Sequence, residues 1–428
     1  QTAPLWIPHA PVIPHRRRAV SLYDSTSSTS VTARASVAAV ALALLGLGSG
    51  PALAQPPKPS APQYTALDLG TLGGTYSSGF ALDADTVVGS STRAGDDFHS
   101  HAFAYDRSTH VMTDLGTLGG PESTALDVEG RYVIGDSSLA GGDRRGFVHD
   151  LRTGRTRAVG TFGGGDSHVT DISGHTVVGS ARTPGNQNTH AYAYDARTGT
   201  MTELDSPVGP DGTSTAAGTS LDRYVAGTWD HPGTPFEGGH AYVHDLRTYT
   251  WTDLSRYDNG VSSKVTSITG HTVVGTFQPE PDGSSGQPPE RGFAYDIRSG
   301  VWSDLGPEMS YRPVVTGHTV LATTRPGAYR YDLRTRTLSA FGPGPGRTYI
   351  NGVAGKFAAG DTNPGPFAYV YRVDTGGFTL LPAIGGVHST ASDVDRHGAA
   401  VGNSATAPTD PTSPDGVYHA TLWTVRRG

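Results

Sequence analysis

The 428-residue chain contains no cysteine. That excludes disulfides, thiolate metal sites, a catalytic thiol and a lipid-modified N-terminal cysteine. Apolar side chains make up only 36% of the residues, against 58 glycines and 30 prolines. This balance disfavours long buried helices and favours many short strands joined by turns. Enzyme signatures are missing as well: no Gly-x-Ser-x-Gly elbow, phosphate loop, His-Glu-x-x-His or dinucleotide fingerprint occurs in its strand-to-helix context. The glycine-rich "LGTLGG" links two strands and opens no helix, so it lacks the dipole that would hold a phosphate. No cofactor is expected.

Long apolar runs are scarce. Residues 37–47 ("VAAVALALLGL") form one of 11 residues, preceded by Arg34 and followed by "PALAQ". It is too short to span a bilayer. Ala52-Leu53-Ala54 places small residues where a signal peptidase needs them, and a proline-rich stretch follows. The expected organisation is an N-terminal extension and secretion signal over 1–54, a linker over 55–63 and a folded domain over 64–425. Cleavage is expected after Ala54, with release to the extracellular space and no stable membrane anchor.

Positive charge is also in deficit, at a net of −7 for the whole chain. Removing residues 1–54, with four arginines and one aspartate, leaves 28 basic and 38 acidic side chains. That balance argues against nucleic acid or an anionic membrane as the main partner.

What the sequence has in abundance is itself. "TVVG" ends at Gly89, Gly179 and Gly275, and related tetrapeptides end at Gly135, Gly227, Ala322, Gly360 and Gly402. The successive intervals are 46, 44, 48, 48, 47, 38 and 42 residues. That period fits a four-stranded propeller blade and exceeds that of helical repeats. In residues 167–204 the four strands read as "HVTDIS", "HTVVGSA", "HAYAYD" and "GTMTEL", separated by Gly, Asp and Pro clusters. Alternation along "HAFAYD" sends Ala102 and Ala104 to one face and Phe103 and Tyr105 to the other. Both faces are apolar, as radially stacked blades require and a two-sheet sandwich does not.

The hairpin after this strand also recurs, as "DLRTGR", "DARTGT" and "DIRSGV". Its aspartates (Asp106, Asp150, Asp195, Asp245, Asp296, Asp332) are expected to accept hydrogen bonds from turn amides. There are eight "VVG"-type strands and eight third strands, the last at 419–425 with no fourth strand behind it. "YTALDLG" at 64–70 is a fourth strand with nothing before it. The two ends are therefore expected to complete one blade, closing an all-β propeller of eight four-stranded blades and hiding both sheet edges. Seven blades is the alternative, because the sixth and seventh units are degenerate.

These residues resemble the HAF-repeat family of secreted bacterial proteins, named for a His-Ala-Phe third strand followed by "DLGTLGG". The resemblance covers roughly residues 64–425. His-Ala-Phe itself stands only at residues 101–103; it becomes His-Ala-Tyr at 190–192 and 240–242, and units six and seven lose the histidine. The first strand departs too, with Asp127, Asp171, Ser220 or Ser267 near the position where the family often has Ile-Asn. Kelch propellers share the Asp-turn-Trp hairpin ("YDIRSGVWSDL") but lack the "LGTLGG" linker. The resemblance implies an extracellular propeller and no particular chemistry.

With the first strand at the axis, the fourth-to-first and second-to-third loops share one face, and the second-to-third loops are the long ones, as at "STRAGDDFHS". Long loops on a rigid scaffold are where binding concentrates. The candidate binding residues are Asp97, Phe98 and His99, then Trp229, Asp230, His231 and Phe236, whose aromatic rings would stack on sugars or peptides while carboxylates and imidazoles orient hydroxyls. Asp127, Asp171 and Asp393, on inner strands, offer the carboxylates that glycoside hydrolysis needs. Their recurrence at equivalent positions favours a role in tying neighbouring strands together. The once-per-blade histidines lie a whole blade apart, so no compact metal site is expected. Arg107, Arg152, Arg197, Arg247, Arg298 and Arg334 recur at the tight turns of the opposite face, as solvated arginines or as a basic ring. The sequence leaves three functional readings: a monomeric binding module for an extracellular glycan or protein, a polysaccharide-active enzyme, and a structural envelope protein.

Overall fold

A computed structural model describes residues 63–426 apart from 205–208, 210, 232–238, 258–260, 282–287, 325–326, 344–345, 364, 366 and 409–415. The chain divides into two units between Ser60 and Ala61. The expected signal segment lies outside the described residues, as does the linker up to residue 62. The second unit holds eight four-stranded antiparallel sheets arranged as a β-propeller. Among the described residues, helix is confined to three short 3-10 turns, Pro184–Asn186, Ser255–Tyr257 and Pro307–Met309.

The first blade, counted from the axis outward, is Gly73–Asp83, Thr86–Arg93, Asp96–Asp106 and Val111–Gly116. The eighth is Ser389–Val394, Ala400–Ala405 and Tyr418–Val425, completed by Tyr64–Asp68 from the other end of the chain. Tyr64 pairs with Val425 and Asp68 with Thr421. The expected closure is therefore present, and it gives both end strands of the ring a paired edge.

Third strands bury both faces: Ala102 and Phe103 are fully buried, with Ala104 and Tyr105 nearly so. The hairpin aspartates also act as anticipated. Asp106 Oδ1 accepts from Ser108 N and Thr109 N, Asp195 Oδ1 from Arg197 N and Thr198 N, and Asp332 Oδ1 from Arg334 N and Thr335 N. Asp150, Asp245 and Asp296 each hold one such amide.

The "VVG" glycine has a steric cause. In seven blades the inner strand is bulged against the second strand, as between Gly79 and Ala81 or between Val265 and Ser267. An inner-strand carbonyl then sits where a side chain would begin. A Cβ on Gly89 would lie 1.9 Å from Ser78 O, and one on Gly275 1.9 Å from Lys264 O. Only glycine fits. The sixth blade departs at this point: its inner strand is just Val314–Thr316, and Ala322 takes the glycine's place.

A second recurring residue stitches blade to blade. Ser123 opens the second blade's inner strand, Ser123–Glu129, and its Oγ accepts a hydrogen bond from Ala102 N of the first blade at 2.8 Å. Ser167, Ser214, Ser263, Ser389 and Ser77 do the same for Gly146, Ala191, Ala241, Ala368 and Ala420. All six serines are buried. Each satisfies a buried amide that the sheet itself leaves open, which would otherwise be costly.

Candidate functional site

The long-loop face carries two of the sequence candidates' clusters, and the structure treats them differently. "STRAGDDFHS" is not a loop: Thr86–Arg93 and Asp96–Asp106 extend as a hairpin around residues 94–95. At its tip Phe98 is 74% exposed, the most exposed large apolar side chain among the described residues. Asp97 Oδ1 accepts from Thr75 N at 2.9 Å and Thr75 Oγ1 at 3.0 Å, while His99 Nδ1 lies 3.1 Å from the Asp96 carboxylate. Asp97 and His99 thus brace the hairpin and leave Phe98 as its free group.

The second cluster corrects the sequence reading. Trp229 is 5% exposed, because the strand Tyr224–Asp230 continues through it and pairs it with Ser214 and His240. Its ring packs against His240 at 4.8 Å and His231 at 4.9 Å between centroids. It is a core residue and offers no stacking platform to solvent. Burial raises the Asp230 carboxyl above its ordinary range. Phe236 lies outside the described residues. No hydrogen bond, ion pair or ring contact among the described residues joins Phe98 to this cluster, three blades away.

A cleft on the same face escaped the sequence reading. The sixth blade's short inner strand leaves an opening of about 170 Å³ against the seventh, lined by Ser310, Tyr311, Thr323, Thr324, Arg347 and Tyr349. Arg347 Nη1 donates to Tyr349 Oη at 3.1 Å, and Tyr311 is 43% exposed. Hydroxyls, two aromatic rings and a guanidinium converge there, and among the described residues no carboxylate lines it. The signal in the sequence was the 38-residue interval with alanine at Ala322.

The inner-strand aspartates behave as ties. Asp171 Oδ2 accepts from Thr219 N of the next blade at 2.7 Å, and Asp393 Oδ2 from Leu82 N at 3.2 Å. Their side chains are half-buried by surface area yet enclosed by neighbouring inner strands, so the carboxylates are poorly solvated. Burial pushes Asp171 up to about 6 and Asp393 to about 7. Asp127 is raised well above its ordinary range, by burial and then by the charges of Asp171 and Asp393, and its Oδ1 accepts from Val128 N at 2.7 Å.

The motif histidines find carboxylate partners on the outer strand. His101 Nδ1 lies 2.9 Å from Asp114, His419 Nδ1 2.9 Å from Asp68, and His190 bonds to Glu203. The His of "HAF" and the Asp of "DLG" are thus the two ends of one cross-strand pair. In the fifth blade Arg291 replaces the histidine and still meets Asp304.

No family model matches the chain, and no curated protein does. Solved structures similar to it are propellers. The Dos1 propeller matches with a TM-score of 0.52 at 13% identity, over 86% of this chain and 96% of its own. One of two prolyl endopeptidases studied for inter-domain dynamics matches with a TM-score of 0.51 at 13% identity, over 77% of this chain. The chain spans only 53% of that endopeptidase. Identities this low establish the shared fold alone.

Proposed function

We propose that the chain is a secreted propeller of the HAF-repeat type that binds an extracellular glycan or protein through its long-loop face. The observation that carries this reading is the cleft between the sixth and seventh blades, where Tyr311, Tyr349, Arg347 and three hydroxyl side chains meet, with no carboxylate among the described lining residues. Flat rings and hydroxyls suit a polyhydroxylated ligand, with binding and orientation as the work done. Phe98, presented on a braced hairpin of the same face, adds a second apolar contact.

The glycan-active alternative draws on the raised carboxyls of Asp127, Asp171 and Asp393, since a raised carboxyl is what a general acid needs. Their oxygens are engaged with strand amides, and none of the three lines the cleft.

The test incubates the full chain with bacterial and plant polysaccharides, measuring retained protein and released sugar together. Retention without release, weakened in Tyr311→Ala, supports the binding module. Released or unsaturated sugar overturns it and directs substitution to Asp171 and Asp393. Neither signal removes glycan as the ligand and leaves a protein partner.

A further inference from the structure

The opposite face carries the tight turns, and the second blade differs from the other six third-to-fourth hairpins in its outer strand. There the sequence reads "DLRTGRTRA", and the outer strand Arg155–Ala158 is fully exposed. Arg155 stands opposite Asp150 in register and Arg157 opposite Val148. In the other six third-to-fourth hairpins the position of Arg155 is held by Val111, Thr200, Thr250, Val301, Thr337 or Gly377. The position of Arg157 is held by Thr113, Thr202, Thr252, Ser303, Ser339 or Thr379. Only the second blade places two cations on its outer strand, and it does so beside the turn arginine Arg152.

These side chains do not disperse into solvent. A cleft of about 170 Å³ at the boundary with the third blade is lined by Arg131, Arg152, Arg155, Arg157 and Arg197, with Tyr132 and the single carboxylate of Asp150. Three of the arginines are positioned by the protein. Arg131 lies over the Tyr132 ring at 4.7 Å and 3.7 Å from the Asp150 carboxylate. Arg157 Nη1 donates to Arg197 O at 3.3 Å, and Arg197 pairs with Asp195 at 3.0 Å. Arg152 and Arg155 have no carboxylate partner among the described residues. Five guanidinium groups thus converge from two blades on one opening, in a chain whose net charge is −7. Like charges repel, and no packing requirement explains why this blade alone would assemble them.

We propose that this cleft is an oxyanion site, built for the phosphate or sulfate groups carried by an anionic polysaccharide. Planar guanidinium forks match tetrahedral oxyanions through paired N–H donors, and they shed water more readily than ammonium groups do. Arg152 and Arg155 supply the donors left unengaged, while Arg131, Arg157 and Arg197 supply a fixed positive field. The site faces away from the Tyr311 cleft and stands independently of the reading proposed for it.

The experiment uses the full chain, with inorganic phosphate, sodium sulfate, dextran sulfate and uncharged dextran as probes. Thermal unfolding is followed at matched ionic strength, and direct titration by calorimetry. Ligand binding to the folded state is expected to raise Tm in proportion to the logarithm of phosphate or sulfate concentration. Dextran sulfate is expected to bind more tightly than the free ions and to lose affinity with added sodium chloride, while dextran does nothing. Arg152→Ala/Arg155→Ala should weaken binding by about tenfold or more. Arg298→Ala/Arg334→Ala, which removes two turn arginines from other blades, should leave it unchanged. Binding of the free ions with no gain for dextran sulfate would keep the site but overturn its assignment to a polymer. No Tm response, or equal losses in the two double variants, would overturn the site itself.

Discussion

Ser77 Oγ accepts a hydrogen bond from Ala420 N at 2.8 Å, although 343 residues separate them. This is the same stitch that joins the first blade to the second through Ser123 and Ala102, here made across the point where the two ends of the chain meet. Both partners are fully buried. Ser77→Ala leaves the Ala420 amide without an acceptor, at an expected cost of about 1–3 kcal/mol. Chemical denaturation of the variant against the parent measures it; an unchanged midpoint would mean that the stitch contributes nothing.

Stability should depend on pH through poorly solvated carboxyls on the first and second strands. Asp171 (about 6), Asp361 (about 6) and Asp393 (about 7) are all raised by burial from the ordinary 3.8. Between pH 3.8 and these values the folded chain holds protons that the unfolded chain has released. Stability is therefore fully present at the acid end of that window and declines as pH rises to about 7, by on the order of 1 kcal/mol per pH unit per group. Asp245, lowered to about 2 chiefly by its hydrogen bond from Arg223, works in the opposite sense, and its contribution is lost as pH falls from 3.8 toward 2. Unfolding free energies across pH 4–8 should thus fall with pH, and Asp393→Asn should flatten the upper part of the curve. A curve rising over pH 4–7 would contradict the assignment.

The glycine of the second strand gives a contrast between blades. Gly275→Ala forces a Cβ to within 1.9 Å of Lys264 O, so the bulge must shift, with an expected loss of about 3 kcal/mol or more. In the sixth blade the corresponding residue is Ala322, fully buried beside a three-residue inner strand. Ala322→Gly should cost about 1 kcal/mol, from chain entropy and a lost methyl contact. Similar losses at the two positions, read by thermal unfolding, would refute the steric account.

The architecture was legible because it is periodic. Repeated tetrapeptides marked the blades, repeated aspartates marked the turns, and the unpaired strands at the two ends marked the closure. What stayed hidden depends on where a strand stops and on what meets between copies. Trp229 looked like a loop residue because the turn signals begin at Pro232, yet the sheet runs on to Asp230 and encloses it. Tyr311, Arg347 and Tyr349 lie on two blades and meet beside an inner strand of only three residues. Arg155 and Arg157 were visible beside a turn arginine, but their convergence with Arg197 crosses a blade boundary.

The closing blade also sets an order of events. Tyr64–Asp68 precedes every other strand of the ring along the chain, and its partner Tyr418–Val425 follows them all. Until Tyr418–Val425 is in place the ring's first strand has no partner, even when the seven sheets between them are complete. Such distant pairing is slow, because chain must be looped before contact can reward it. An unpaired strand edge in that interval invites association with a neighbouring copy. For this molecule the hazardous period is therefore set by how long its own tail takes to arrive.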